Sequence, residues 1–231
     1  MTDPTVIAVD WSGAKRPNRR SGIWLSALRH DRPIESRALE TREEAIDYLL
    51  ESEVPFIAGF DFSFGLPEWF AIEHGCATID EVWALAARDG EHWLAPTAPF
   101  WKQKCDVPFE QRFRRCEEQY PRAKSVFQLV GNGQVGSGSV RGMPLLTRLR
   151  SAGIAIWPFD PPGDRTVFEI YPSALRKIRV EEETFENEHE RDALSSARVM
   201  WDERETVAAL SAATDPTTRL EGDIWFPTAS P

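Results

Sequence analysis

The stretch Val6-Ile7-Ala8-Val9-Asp10-Trp11-Ser12-Gly13 lies close to the start of the chain and decides the fold class. Its four apolar, mostly β-branched residues predict a buried strand. An aspartate ends this strand before a Ser-Gly turn. A carboxylate at the tip of a core strand is costly to bury unless a positive group pairs with it. Asp10 is therefore the first candidate for a functional residue.

A second copy of this pattern follows at Pro55-Phe-Ile-Ala-Gly-Phe-Asp61-Phe-Ser-Phe-Gly65-Leu-Pro67. Again an apolar run carries an aspartate, and a serine and a glycine come after it. If the two strands lie side by side, Asp10 and Asp61 converge at one edge of a sheet. Two converging carboxylates are the beginning of a metal site.

Between these two strands the chain predicts two further strands and a helix. The strands are Ser21–Leu28 and Pro33–Leu39, and Thr41-Arg-Glu-Glu44 is a capping box that opens the helix. Connections this short favour antiparallel neighbours, whereas a helix between strands favours a parallel crossover. The pattern predicts an α/β fold with a mixed sheet, in which three antiparallel strands are followed by parallel ones.

The second half of the chain supplies two more acids. Residues 66–89 have a helical pattern with a capping box at Thr78, and further elements are expected at Val140–Leu149 (helix), Gly153–Pro158 (strand), Thr166–Ser173 (strand), about His189–Ala213 (helix) and Glu221–Pro227 (strand or extension). Glu169 lies in the last of the internal strands, where it points to one face only because strand side chains alternate. Asp192 and His189 lie along one edge of the long helix.

The middle of the chain has a different composition. Trp101–Arg150 contains ten Lys and Arg against four Asp and Glu, inside a protein of formal net charge −10. Gly131-Asn-Gly-Gln-Val-Gly-Ser-Gly-Ser139 is too glycine-rich to predict a regular element, and it lacks the phosphate-loop pattern. A basic flap over a site and a plain solvated insertion are both open interpretations.

Length and composition limit the class of protein. The 231 residues fit one domain, residues 1–231, with a basic, glycine-rich insertion at about 100–150. The acidic balance argues against a chain that coats nucleic acid indiscriminately. Three cysteines give no disulfide framework, and neither a signal peptide nor a membrane-length apolar run is visible. We therefore expect a cytoplasmic protein without membrane contact.

The acids together predict a metal site. Asp10, Asp61, Glu169 and Asp192 are the candidate catalytic residues and ligands of Mg²⁺ or Mn²⁺, because these ions prefer carboxylate oxygens, water and phosphate. Two such ions can activate a water and stabilise the leaving oxygen of a phosphodiester. Each acid also has a structural alternative: a turn cap for Asp10, a solvent-facing strand position for Glu169, and an interaction with the helix dipole for Asp192.

Seven further residues are candidates for substrate binding: Ser12, Lys15, Arg16, Ser63, Arg122, Lys124 and His189. The serines follow the two aspartates, and the basic residues can steady phosphates. The alternatives are a solvated loop for the basic residues after Asp10 and a helix-cap or surface position for His189.

The order of elements and acids resembles the ribonuclease H-like fold. More closely, the chain resembles the family called domain of unknown function 429, described as predicted ribonuclease H-like nucleases. The matching pieces are Val9-Asp10, Gly59–Pro67, Glu169-Ile-Tyr-Pro172, His189–Ala193 and the closing Glu221–Pro227. The resemblance spans nearly the whole chain, with the basic middle matching least well, and it implies a fold more directly than an activity.

These observations favour a metal-dependent phosphodiester hydrolase whose partner is a nucleic acid or a nucleotide. Two other classes stay open. Actin-like sugar kinases and ATPases share this core and place an aspartate beside Ser-Gly in their first strand, although they need two such domains. A non-catalytic nucleotide- or nucleic-acid-binding protein is the third class, and metal binding is the property that discriminates it from the others.

Overall fold

The structure is a computed structural model that describes residues 3–17, 22–95, 97–102, 105–120, 123–130, 134–177, 184–207 and 209–227. In this part of the chain, one sheet contains β1 (Thr5–Asp10), β2 (Ile23–Arg29), β3 (Arg32–Leu39), β4 (Phe56–Phe60), β5 (Ala155–Ile156) and β6 (Arg165–Glu169). The strand order is β3-β2-β1-β4-β6-β5. Strands β3, β2 and β1 are antiparallel, whereas β1, β4, β6 and β5 are parallel. The predicted α/β class and mixed sheet are confirmed.

The described helices are α1 (Arg42–Leu50), α2 (Glu68–Glu73), α3 (Ile79–Trp93), α4 (Arg115–Glu118), α5 (Val135–Ser151), α6 (Pro172–Leu175), α7 (Glu188–Asp202), α8 (Arg204–Val207) and α9 (Pro216–Glu221), with a 3-10 turn at Phe109–Gln111. Local sequence explains where two of them begin. Thr41 accepts a hydrogen bond from the Glu44 backbone ahead of α1, and Thr78 and Glu81 form a complete capping box ahead of α3.

The sheet is buried on both faces, and the alternation of β1 shows which helices cover each face. Ile7 and Val9 belong to a core shared with α1, α3 and α5. Val6 and Ala8 belong to a second core shared with α7. A parallel strand covered on both faces reads as a continuous apolar run, which is why Val6–Val9 has no polar position.

Helix α5 begins earlier than the sequence predicts. The expected helix starts at Val140, and the stretch up to Ser139 is expected to lack a regular element, yet α5 starts at Val135. The expectation is therefore wrong for Val135–Ser139; residues 131–133 lie outside the described part of the chain. Small residues let this turn approach the loop after β1, since a Cβ on Gly13 would lie 2.8 Å from the Gly138 nitrogen. Tertiary packing of this kind outweighs the low helix propensity of glycine.

Three other elements are shorter than predicted. The strand predicted at Thr166–Ser173 ends as β6 at Glu169, and α6 begins at Pro172. The long helix predicted to reach Ala213 ends as α7 at Asp202, and α8 follows after Glu203. The strand predicted at Gly153–Pro158 contains only Ala155–Ile156 in the sheet. Among the described residues, no helix combines the length and the apolar composition that crossing a membrane requires.

Candidate functional site

Asp10 and Asp61 leave neighbouring parallel strands at the same edge of the sheet. Val9 on β1 pairs with Phe60 on β4, and the Asp61 backbone nitrogen donates to the Val9 carbonyl oxygen over 3.1 Å. Alternate residues of a strand point to the same face of the sheet. Asp10 therefore points to the same face as Val6 and Ala8, which α7 covers. Ligands of open α/β sheets bind outside the carboxyl ends of the strands, which is where both aspartates lie.

Asp10 forms a buried pair with a histidine from α7. Its side chain accepts at Oδ2 from His189 Nδ1 over 2.7 Å, and Asp10 is only 5% exposed. Burial raises the pKa of Asp10 to about 6, although His189 lowers it. The hydrogen bond that His189 donates to Asp10 raises the pKa of His189. Neighbouring groups with shifted pKa values occur often at functional sites.

Asp61 is the most perturbed carboxyl group of this edge. Burial raises the pKa of Asp61 well above its ordinary range, and repulsion from Asp10 and Asp192 raises it further. Arg176 opposes this shift. A positive charge placed among these acids would stabilise their ionised forms.

Asp192 lies on α7, close to the same edge. Arg176 Nη1 lies 3.0 Å from Asp192 Oδ1. That oxygen nevertheless accepts no well-aligned hydrogen bond from a described residue, so the contact is an ion pair rather than a directed hydrogen bond. Burial raises the pKa of Asp192, and Arg176 lowers it. Arg176 is a site residue that the sequence patterns did not single out.

Glu169 points away from the two aspartates. It pairs in the sheet with Phe60, so it shares the face of Phe60 and Val9, opposite to that of Asp10. Its carboxylate accepts from Arg114 Nη2 over 2.5 Å and from Arg114 Nη1 and the Phe64 nitrogen over 2.9 Å each. Burial raises the pKa of Glu169, and Arg114 lowers it. Asp10 and Asp192 both act on the pKa of Asp61, so these three acids are neighbours. Glu169 also contributes to that shift, although its carboxylate is bound by Arg114.

Arg114 joins three separate segments behind the sheet edge. It is fully buried and also donates to Glu117 Oε1 over 2.9 Å and to the Glu221 carbonyl oxygen over 3.0 Å. Glu117 and Glu221 are also buried. The sequence gives Arg114 no distinguishing mark, because it lies in a run of basic residues that resembles a solvated surface. Its partners lie on distant segments and are buried only in the folded chain, so no local sequence pattern reports them.

The candidate substrate-binding residues lie in different environments. Ser12 and Ser63 are buried, and the Ser63 nitrogen donates to Ser139 Oγ over 2.9 Å. Lys15 and Arg16 are exposed on the loop after β1, and Lys124 is partly buried. Arg122 lies outside the described residues. The loop after β1 is fixed by Arg42, which donates to the Ser12 carbonyl oxygen over 2.7 Å.

A small pocket of about 30 Å³ lies beside Asp61 and Glu169. Its lining includes Asp61, Ser63, Lys124, Glu169 and Tyr171, and its volume holds about one water molecule. A wider cavity of about 850 Å³ is lined by Trp69, Phe70, Trp101 and their neighbours and contains none of the predicted acids. We place the candidate site beside the small pocket because Asp61, whose pKa is raised well above its ordinary range, lines it. Asp10 and Asp192 are not among the residues that line this pocket.

The described residues contain no group of three or more His, Cys, Asp or Glu side chains that could hold a metal ion. Magnesium is usually held by one or two carboxylates together with waters and substrate phosphate. The aspartates at this edge carry carboxylate oxygens, the kind of donor that Mg²⁺ and Mn²⁺ prefer. Comparison of the chain with protein-family models, with curated proteins and with solved structures found no match.

Proposed function

We propose that this chain is a metal-dependent phosphodiester hydrolase, a nuclease with a ribonuclease H-like fold. One observation carries the proposal. Asp10 and Asp61 end adjacent parallel strands, and burial raises the pKa values of both carboxyl groups while they repel each other. The sheet order, with three antiparallel strands followed by parallel ones, is consistent with the fold that the sequence resembles.

In this proposal Asp10 and Asp61 would hold Mg²⁺ or Mn²⁺, and Asp192 would hold a water bound to the ion. When bound, such ions activate a water and neutralise charge on the leaving oxygen of a phosphodiester. Glu169 was expected to complete the coordination, and its contacts with Arg114 favour a supporting role instead: it fixes the Phe64 backbone, three residues beyond Asp61.

His189 has two roles in the proposal. Its hydrogen bond holds one oxygen of Asp10, which leaves the other oxygen available to an ion. Its side chain is 32% exposed, so the imidazole can exchange a proton with solvent beside the reacting group. Lys124, on the rim of the small pocket, supplies a positive charge for a substrate phosphate.

The test is hydrolysis by metal-stripped protein to which Mg²⁺ or Mn²⁺ is returned. The substrates are labelled single-stranded DNA and RNA, an RNA–DNA hybrid, a DNA duplex and a small phosphodiester, bis(p-nitrophenyl) phosphate. We expect activity only with metal, and we expect Asp10→Asn and Asp61→Asn each to reduce it at least about a hundredfold. Asp164→Asn is the matched control, because Asp164 is exposed and precedes β6 at the opposite end of the sheet.

Three results would overturn the proposal. One is full activity in Asp10→Asn, and another is cleavage that persists in chelator. The third is hydrolysis of ATP without cleavage of any phosphodiester, which would favour the actin-like class. Metal binding is measured in parallel as the rise in melting temperature on adding Mg²⁺, because a ligand that binds only the folded state raises it.

A further inference from the structure

Three partly exposed aromatic rings form a row beside the small pocket. The ring centroids of Tyr120 and Tyr171 are 6.3 Å apart, and those of Tyr120 and Phe226 are 5.7 Å apart. Phe226 is 37% exposed, and both tyrosines are partly exposed. The rings come from three distant segments of the chain, so the fold alone brings them together. We call these three residues the aromatic row.

The aromatic row begins at the candidate site. Tyr171 follows Glu169 by two residues at the carboxyl end of β6, and it lines the pocket that Asp61 and Lys124 also line. The row therefore leads from the carboxylates outward, across Tyr120 to Phe226. A chain-like substrate with one phosphate beside Lys124 would pass its neighbouring nucleotides along these rings.

The buried groups beneath the row hold it in place. The Trp225 nitrogen donates to the Glu169 carbonyl oxygen over 2.8 Å, and the Trp225 ring packs 5.1 Å from that of Phe168. The Tyr120 nitrogen donates to the Glu117 carbonyl oxygen over 3.1 Å, and Glu117 is tied to Arg114. Rings that are fixed before binding lose little conformational entropy when a ligand stacks on them.

The ligand chemistry follows from the kinds of side chain present. Aromatic faces stack on unpaired bases with little sequence preference, and neighbouring cations hold the phosphates between them. Lys124 lines the pocket and is the neighbouring cation, whereas Arg115 at the start of α4 is paired with Asp215. Burial raises the pKa of Tyr120 to about 12, with Asp223 adding to the shift. This ring is therefore uncharged at neutral pH and does not repel phosphate.

We propose that the aromatic row stacks the unpaired bases of a single-stranded polynucleotide whose backbone lies at the Asp61 pocket. This inference rests on the proposed function and narrows its substrate class. A continuous duplex keeps its bases paired and cannot supply free π-faces, so single strands or frayed ends bind better than duplexes.

The experiment compares Tyr171→Leu and Phe226→Leu with Phe109→Leu. Leucine keeps the side chain apolar but removes the ring. Phe109 is the control because its ring is 69% exposed and lies outside the row. Binding is measured by fluorescence anisotropy with Ca²⁺ in place of Mg²⁺, which limits turnover. The probes are oligothymidylate and an abasic oligonucleotide of equal length, since both carry the same phosphates and only the first carries bases.

We expect the wild type to bind oligothymidylate about five- to fifty-fold more tightly than the abasic strand. Tyr171→Leu and Phe226→Leu should each lose a large part of this difference and leave the abasic affinity unchanged, while Phe109→Leu behaves as the wild type. Both variants should keep the Mg²⁺-induced rise in melting temperature, which shows that they fold and retain the acid site.

Equal binding of the two probes by the wild type would overturn the inference, as would unchanged oligothymidylate binding in both row variants. Absence of any oligonucleotide binding would also overturn it, while metal-dependent hydrolysis of the small diester would leave the proposed function standing. Base-dependent binding that requires the row, without any metal-dependent hydrolysis, would support the inference and contradict the proposed hydrolase.

Discussion

At the residue scale, the carboxyl groups of Asp10 and Asp61 oppose folding once they ionise. Burial is the first cause of the raised pKa in both cases. A group whose pKa is higher in the folded state binds protons more tightly there than in the unfolded chain. Stability therefore falls as pH rises from the ordinary carboxyl pKa through the folded-state value. For Asp10 this window runs from about pH 4 to about pH 6, and the loss is about 3 kcal/mol.

We expect Asp61→Asn to be at least as stable as the wild type when metal is absent. The amide removes a buried charge that Asp10 and Asp192 repel, so the advantage should grow as pH rises from about 4 to about 8. Urea unfolding at several pH values, in chelator, measures the difference. The free energy of unfolding of Asp164→Asn should differ from that of the wild type by a small amount that is the same at every pH. Strong destabilisation of Asp61→Asn at pH 8 would instead mean that the ionised Asp61 carboxylate has a structural partner.

Removing Arg114 should lower the stability of the protein, because Arg114 is the cation of a buried cluster of charges. Arg114→Ala would leave Glu117 and Glu169 buried without their guanidinium partner, which typically costs about 3–5 kcal/mol. The loss should be smaller near pH 4, where Glu169 can protonate. Arg115→Ala is the control, since its pair with Asp215 is exposed and should contribute little to stability. Equal effects of the two substitutions on the free energy of unfolding would contradict the role given to Arg114.

At the scale of elements, α5 depends on close approach rather than on helix propensity. A Cβ on Gly142 would lie 2.6 Å from the Phe62 ring, and Phe62 is itself fixed by stacking on Phe60 and tilted packing on Trp11. In an exposed helix, Gly→Ala would stabilise by about 0.5–1 kcal/mol. Here we expect a loss of about 1–3 kcal/mol from overpacking.

Thermal unfolding of Gly142→Ala and Gly163→Ala tests this expectation. Nothing lies within 4 Å of a Cβ built on Gly163, so that substitution should be neutral or slightly stabilising. If Gly142→Ala is as stable as Gly163→Ala, Phe62 can move aside, and the packing of α5 is less tight than its contacts indicate.

The elements that the sequence predicts well are those with local signals. Thr41 and Thr78 cap their helices through residues three positions away, and Val6–Val9 is apolar at every position. The turn Val135–Ser139 could not be predicted in this way, because its helix is stabilised by contacts with the loop after β1, more than 100 residues earlier. Long-range packing of this kind leaves no periodicity in the sequence.

The same distinction applies to the candidate site. The matching Asp-x-Ser patterns placed Asp10 and Asp61 correctly at one edge, since each lies at the end of its own strand. The face of Glu169 depends on its register with Phe60, and a shift of one residue would reverse it. No spacing within the sequence reports a register between strands more than 100 residues apart. The sequence therefore identifies the acids but not which of them share a face.

In the molecule as a whole, five of the eight described basic residues of Trp101–Arg150 form ion pairs. Arg114 is buried, and Arg141, Arg148 and Arg150 pair with Glu91, Asp47 and Asp80 respectively. Lys15, Arg16 and Lys124 form no ion pair with another described residue, and the first two lie at the edge of the sheet that carries Asp10. A polynucleotide would therefore depend on few cations, set in a protein of net charge −10.

This charge distribution predicts a measurable salt dependence. Each phosphate that a cation neutralises on a single strand contributes about 0.7 to the slope of log affinity against log salt. We expect Lys15→Glu/Arg16→Glu to weaken oligonucleotide binding at low salt and to lower that slope by about 1.4. Arg29→Glu/Arg32→Glu makes the same charge change at the opposite end of the sheet, since Arg29 lies beyond the pairing of Leu28 with Val6. It should alter the slope little.

Both double variants should keep the Mg²⁺-induced rise in melting temperature, because neither touches an aspartate of the site. Equal slopes in the two variants would place the polynucleotide away from the loop after β1, and a shallow slope in the wild type would favour a small nucleotide as the substrate.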